Sequence, residues 1–272
     1  MLNIQDILKK VQNKYIHEIL KVVTKVSEEE DKSAYIVGGF VRDLIMDKEL
    51  NDIDIMVVGD GIDFAKKIAF GIGVKKIVPF EKFGTALIPN ENIQVEIASA
   101  REEKYNSESR KPSKISYTDL HGDLVRRDFT INAMAMHISS ENFGLLTDPY
   151  NGLADIENKI LKTPLDPDET FSEDPLRMMR AAYFASKLGF IIEDKCIDSM
   201  KRQSERIKIV SWERIRDELF KILKTKKPSI GLRILQETGL MKIVFPEIDD
   251  MYGIEQTAEW NHKDIFDHTL QV

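Results

Sequence analysis

Gly38-Gly39-Phe40-Val41-Arg42-Asp43 and, after a short interval, Asp52-Ile53-Asp54-Ile55-Met56-Val57-Val58 are the stretch on which the fold turns. The preceding Ala34-Tyr35-Ile36-Val37 is short and apolar and is closed by the glycine pair, the pattern of a buried strand entering a tight turn. The second segment alternates at its start and ends in Gly59-Asp60-Gly61, a strand followed by a turn. Residues two apart in a strand point to one side, so Asp52 and Asp54 present both carboxylates to one spot. Two such charges repel unless a cation lies between them, and Mg²⁺ favours one or two carboxylates completed by phosphate oxygens. An Asp-x-Asp alone is common and carries no assignment. The glycine pair beside it adds weight, because Gly38 and Gly39 let backbone N–H groups approach a phosphate at a helix start. By itself that pair would be read as a tight turn.

Working outward, apolar residues at Ile4, Leu8, Val11, Tyr15, Ile19, Val22 and Val26 recur every three or four positions and predict one amphipathic helix. A helix is expected through Phe64–Phe70, with strands near Lys76–Val78, Thr85–Ile88 and Gln94–Ile97. The polar, Ser- and Lys-rich run from Arg101 to Asp119 predicts a mobile loop. After Arg126 the pattern turns helical, with candidates at Asp128–Met136, Asp174–Leu188, Glu193–Gln203, Trp212–Leu223 and Ser229–Glu237. The expected class is α+β. A small N-terminal mixed-sheet domain with helices spans 1–150, and a helical neck spans 151–245. The start of a further helical domain covers 246–272, with a helix opening near Lys263.

Of the 272 residues, 42% are apolar and 31% charged, the balance of a globular protein, and no apolar run approaches the ~20 residues a membrane helix needs. The lone Cys196 excludes internal disulfides and a cysteine zinc site. With no leader-like pattern at the start, a cytoplasmic location is expected and no membrane partner; the oligomeric state is left open. A net charge of −7 does not announce a nucleic-acid protein. Yet Lys201–Lys227 holds ten Lys/Arg against four acids, which read alone is a solvated helical surface.

The pair Gly38-Gly39-x-x-Arg42-Asp43 and Asp52-x-Asp54 resembles motif A of the nucleotidyltransferase family that contains class II CCA-adding enzymes and bacterial poly(A) polymerases. The resemblance continues in order. Arg126-Arg127-Asp128-Phe129-Thr130-Ile131-Asn132-Ala133-Met134-Ala135 is similar to motif B, and Asp148-Pro149 with Gly152 and Asp155 to motif C. Glu173-Asp174-Pro175-Leu176-Arg177-Met178-Met179-Arg180-Ala181 resembles motif D, and Glu213-Arg214-Ile215 with Glu218 motif E. Five motifs in one order are far more specific than any one.

The resemblance implies transfer of a nucleotide from CTP or ATP to the 3′ end of tRNA, with Mg²⁺ held by Asp52 and Asp54. Glu96, in the next apolar strand, is a candidate third carboxylate or a solvent-facing residue. Arg126 and Arg127 supply fixed positive charge for phosphates. Asp128 and Asn132, four apart on the expected helix, are implied to read the ribose. Asp174 and Arg177, three apart, are implied to read the edge of the incoming base, or else form a helical ion pair. Gly38, Gly39, Arg42 and Arg180 complete the implied nucleotide-binding set, while Glu213, Arg214 and Glu218 are read as structural. Pro79-Phe80-Glu81-Lys82-Phe83-Gly84-Thr85-Ala86 departs from the Gly-Arg-Arg-Phe stretch of bacterial poly(A) polymerases. The long Arg101–Asp119 segment favours full CCA or A-only addition over CC addition. Asn261 to Leu270 resembles the first helix of an HD domain, with His268 at its first ligand position. The remaining ligands do not follow before Val272, so no HD metal site is expected from this chain.

Overall fold

A computed structural model describes residues 2–106, 109–254 and 264–270, with side chains omitted at 103–114 and 267. It divides into two compact units, one of residues 1–104 with 113–157 and the other of 105–112 with 158–272.

The first unit opens with two helices where one was expected, α1 (Gln5–Lys9) and α2 (Lys14–Glu29). Asn13 separates them. Its extended backbone (ψ 100°) cannot continue a helix, and its side chain accepts from the Tyr15 N–H as an N-cap. β1 (Ala34–Val37) runs into α3 (Gly39–Ile45), and β2 (Asp52–Val57) into α4 (Gly61–Gly71). β3 (Val78–Phe80), β4 (Thr85–Ile88) and β5 (Gln94–Ser99) follow.

The segment expected to be a loop contains β6 (Arg101–Asn106) and β7 (Ser109–Tyr117), which form a two-stranded sheet of their own. Polar composition misled here, because a two-stranded ribbon satisfies its backbone by pairing and needs no apolar face. α5 (Leu120–Val125) comes next, capped by Asp119. The helix expected over Asp128–Met136 is instead a 3₁₀ turn at Thr130–Asn132 followed by β8 (Ala135–His137). The local helical spacing yields to sheet pairing, since β8 lies antiparallel to β1 with Ile36 opposite Met136. β9 (Leu146–Thr147) and α6 (Gly152–Asn158) close the unit.

The main sheet runs β3-β4-β5-β2-β1-β8-β9, antiparallel throughout except for the parallel β2–β5 pair. The two faces of β2 explain the site. Ile53, Ile55 and Val57 are buried on the face shared with α2 and α4. On the other face Asp52, Asp54 and Met56 run inward. Met56 packs with Val37, Ala100, Leu124 and Ala135, so α5 is seated on the carboxylate face.

The second unit contains β10 (Ile160–Leu161), α7 (Pro167–Glu173), α8 (Leu176–Leu188), β11 (Ile191–Ile192) and α9 (Asp194–Gln203). α10 (Trp212–Leu223), α11 (Pro228–Glu237), α12 (Met241–Val244), α13 (Pro246–Asp249) and α14 (Ile265–Thr269) complete it. Helices α10 and α11 pack on α8. The α11 contact is close: a Cβ at Gly231 would lie 2.5 Å from Ser186 Oγ, which instead accepts the Gly231 N–H at 2.7 Å. The single helix expected over Asp174–Leu188 is interrupted at its start. Asp174 is extended (φ −135°, ψ 97°), as the residue before Pro175 is driven to be. Among the described residues no helix is long and apolar enough to cross a membrane. Asn261, His262 and Lys263 lie outside the described residues.

Candidate active site

Gly38 makes the turn from β1 into α3 with φ 70° and ψ −134°, a conformation open to glycine. Space demands glycine as well. A Cβ there would sit 2.9 Å from Arg127 Nη1 and 3.3 Å from Asp54 Oδ2, so the turn, an arginine and a carboxylate meet at one point.

Asp52 is exposed at the mouth of β2 and Asp54 is half-buried behind it. Burial, and next the charge of Asp52, push the Asp54 carboxyl up to about 6; Glu96 adds to the rise while Arg127 and Arg42 oppose it. Glu96 stands directly opposite Asp54 in the β2–β5 register and so shares its face, but is exposed. Among the described residues no three His, Cys, Asp or Glu side chains are gathered into a ligand set. The donor chemistry is therefore two oxygen ligands, hard and anionic, which suits a divalent cation that completes its shell with water or phosphate rather than a zinc-type cage.

Around this pair the arginines are held by a buried network. Arg42 is 3% exposed; its Nε and Nη2 each donate to Asp43 at 2.8 Å, and its Nη1 donates to Asn132 Oδ1 at 2.6 Å. Asn132 Nδ2 in turn donates to Asp128 Oδ1 at 3.0 Å. Asp128 and Asn132 thus do come together, through the 3₁₀ turn rather than a helix face, and they hold each other and Arg42.

Arg126 and Arg127 are both held by Asp123, which the sequence reading passed over. Its signal was spacing: it precedes the two arginines by three and four residues and lies one residue before the core Leu124. The motif C residues also act inside this unit. Asp155 Oδ2 accepts from Thr130 Oγ1 at 2.6 Å, and Asp148 accepts the Gly152 and Leu153 N–H groups at 2.7 and 2.9 Å. Gly152 lets α6 approach the 3₁₀ turn, since a Cβ there would lie 2.3 Å from the Thr130 carbonyl oxygen.

In the second unit, Asp174 lies between α7 and α8, its Oδ1 accepting the Leu176 N–H at 3.2 Å. Arg177 is buried at 8% exposure; its Nη1 donates to the Thr170 carbonyl at 3.2 Å and pairs with Glu173 at 3.1 Å. Glu173 thus partners Arg177 across the α7–α8 junction. Arg180 lies over the Phe184 ring. Glu218 is buried on α10, with Oε1 accepting from Lys221 and Oε2 without a hydrogen-bond partner among the described residues. Glu213 is exposed.

A glycine turn pressed against a carboxylate pair, with arginines held beside it, has the chemistry that suits a polyanion and a divalent cation. Residues 34–162 match the family model described as the poly A polymerase head domain, and residues 189–252 that described as the probable RNA and SrmB-binding site of polymerase A. The chain belongs to this tRNA nucleotidyltransferase and poly(A) polymerase family. It is 34% identical to a CCA-adding enzyme of Levilactobacillus brevis over 90% of this chain and 60% of that protein. It is also 34% identical to an A-adding tRNA nucleotidyltransferase of Geobacter sulfurreducens over 85% of this chain and 26% of the relative. A solved CCA-adding enzyme in an apo form superposes with a TM-score of 0.82 at 31% identity, over 92% of this chain and 60% of that one. The chain thus spans 60% or less of the length of these relatives.

Proposed function

We propose that this chain carries the nucleotide-adding centre of a tRNA nucleotidyltransferase, which extends the 3′ end of tRNA with nucleotides from CTP and ATP and releases pyrophosphate. The observation that carries the reading is the meeting of Gly38, Asp54 and Arg127 at one point. Asp52 and Asp54 are assigned to hold Mg²⁺; Glu96, opposite Asp54 in the β2–β5 register, is the candidate for a third carboxylate. The metal, when bound, lowers the charge of the reacting phosphate and favours the ionised 3′-OH. Arg126 and Arg127 take the triphosphate, and the Gly38-Gly39 turn leaves backbone N–H groups bare for it. Asp128 and Asn132 are assigned the ribose, with Arg42 bound to Asn132 in the same network. Asp174 and Arg177 are assigned the base edge, an acceptor and a donor fork matching C and A and leaving G or U with unpaired groups; Arg180 supports them. Functional segments of 1–150, 151–245 and 246–272, and a cytoplasmic location, belong to the same proposal.

Two product specificities fit this assignment, because the chain is 34% identical both to a relative named CCA-adding and to one named A-adding. The test is incubation with tRNAs ending before CCA, after the first C and after the second C, each with one labelled NTP and with or without EDTA. Mg²⁺-dependent addition of C and then A indicates full CCA synthesis, and addition of A alone to the CC-ended tRNA indicates A addition. Incorporation of no nucleotide on any of the three tRNAs would overturn the assignment.

A further inference from the structure

Asp123 lies in α5, one turn before the arginine pair, and is 1% exposed. Its two oxygens are divided between two guanidinium groups. Oδ1 accepts from Arg126 Nη2 at 2.6 Å and Nε at 3.1 Å, and Oδ2 accepts from Arg127 Nη2 at 2.8 Å and Nε at 3.2 Å. The Nε–Nη2 edge of Arg127 is thereby fixed, and Nη1 is the corner that meets Gly38 beside Asp54. Arg126 reaches the other way, its Nε also donating to the carbonyl of Arg101 at 2.9 Å, the first residue of β6. One buried carboxylate thus stands between the carboxylate site and the base of the polar two-stranded sheet.

We infer that Asp123 is a positioning residue for the triphosphate: it sets Arg127 against the carboxylate pair and, through Arg126, ties that setting to the start of β6. Four N–H donors converging on two oxygens require a carboxylate. An amide of the same shape would offer one oxygen and turn an N–H toward one guanidinium. Burial opposes the charge on Asp123, but Arg127 and Arg126 outweigh it and hold the carboxyl below its ordinary range, so the brace stays ionised at any working pH. An arginine on a flexible stem would otherwise spread over many rotamers, and a pre-set fork meets a phosphate at a lower entropic cost.

The inference rests on the proposed nucleotide site, so the test reads binding directly, without tRNA. A fluorescent ATP analogue is titrated into the chain in Mg²⁺. Asp123→Asn is expected to weaken binding about tenfold, the scale of coupled neighbours, and Arg127→Ala by at least as much. The double variant should bind no more weakly than Arg127→Ala alone, because Asp123 acts through Arg127. Arg126→Ala, which leaves the Asp123–Arg127 pair, should weaken binding less than Arg127→Ala. Arg127→Lys keeps the charge at a partly exposed position and cannot form the fork, so it should not restore affinity, even where Asp123→Asn fails to fold. Nucleotide affinity unchanged in Asp123→Asn would overturn the assignment, as would loss in the double variant equal to the product of the singles, or full affinity with Lys at 127. A wild-type chain that binds no nucleotide would overturn the proposed function itself.

Discussion

The charged residues around Asp54 in the first unit are held differently from most of those in the second. In the first, Arg42, Asp123, Asp128 and Asn132 are each under 10% exposed and hydrogen-bonded to one another or to the neighbouring arginines. In the second, most charged pairs stand in solvent. Arg202–Asp168, Lys201–Glu237, Lys208–Glu205 and Arg216–Asp217 all have half-exposed or more exposed partners. Exposed pairs contribute about 0–1 kcal/mol each, whereas breaking one member of a buried pair costs about 3–5 kcal/mol. The first arrangement fixes side-chain geometry, as the proposed triphosphate and metal site would require. The second leaves a charged surface that is adjustable and salt-sensitive. Arg177, held by Thr170 and Glu173, and Glu218, paired with Lys221, are buried exceptions in the second unit.

The largest effect should come from the carboxylate pair. Asp54→Ala or Asp52→Ala is expected to reduce Mg²⁺-dependent nucleotide addition by on the order of 10³ or more, the scale of removing a preorganised electrostatic group. Incorporation by either variant close to wild type would end the metal-binding assignment. Asp54 also carries a pH signature. Its folded-state carboxyl sits at about 6 against 3.8 in a free chain, so the folded protein binds more protons between those values. Stability from this group therefore falls as pH rises from about 4 to about 6 and stays low above that. In EDTA at pH 7.5, Asp54→Asn should raise the melting temperature while abolishing activity. A fall in melting temperature would show that burial and repulsion do not govern this carboxyl.

Gly38→Ala comes next. The positive φ and the 2.9 Å approach of Arg127 Nη1 leave no relaxed place for a methyl group, so Arg127 must shift. A misplacement of that size in a catalytic site costs about 10–100-fold in rate, with modest loss of stability. Rate and melting temperature measured together separate the outcomes: an unchanged rate would mean that Arg127 does not need its observed position.

How much of this was legible in the sequence follows from the same contrast. The glycine turn, the Asp52/Asp54 pair and the strand that carries them could be read because period two and a glycine pair are local signals. Helix α10 could be read to the residue because its apolar stripe, Ile215, Ile222 and the buried Glu218 position between them, is also local. What could not be read depends on distant pairing. The segment after Arg126 has helical spacing, but β1 offers Met136 a strand partner a hundred residues upstream. The polar Arg101–Asp119 run has no apolar signal, and among the described residues its two strands pair with each other. Asp123 left a signal in its spacing to Arg126 and Arg127, but its burial, which makes it a shared brace, is not visible in the sequence. The break at Asp174 was legible, since Pro175 alone forbids the helix there, and motif D was read too uniformly as helix.

Arg177→Ala should act mainly on base choice. Its guanidinium is already held by Thr170 O and Glu173, so a donor corner is oriented in advance. Loss of that fork should narrow the preference for CTP and ATP over UTP and GTP by about tenfold or more, because rejection arises from unpaired groups. Single-nucleotide incorporation with all four NTPs measures it. Equal loss for every nucleotide would reassign Arg177 to holding the α7–α8 junction.

The smallest effect is expected from the exposed cations, and it is the one that tests the contrast most directly. Lys224 and Lys227 flank the C-terminal end of α10 and are exposed, in a run that carries ten Lys/Arg against four acids. If this surface meets an RNA backbone as a set of interchangeable charges, each lysine lost should weaken RNA binding two- to three-fold near physiological salt. It should also reduce the slope of log affinity against log salt by roughly 0.7–0.9 per phosphate contact removed. Neither nucleotide binding nor the melting temperature should change, since surface substitutions of this kind stay within about 0.5 kcal/mol. The comparison variant is Arg42→Ala, whose buried network predicts the reverse pattern: a clear loss of stability and of nucleotide binding, with the RNA salt slope unchanged. Binding titrations at four salt concentrations, with melting curves on the same samples, decide the matter. A Lys224→Ala protein that melts early, or an Arg42→Ala protein that alters only the salt slope, would mean that the division between a buried ionic network and a solvated ionic surface does not govern these residues.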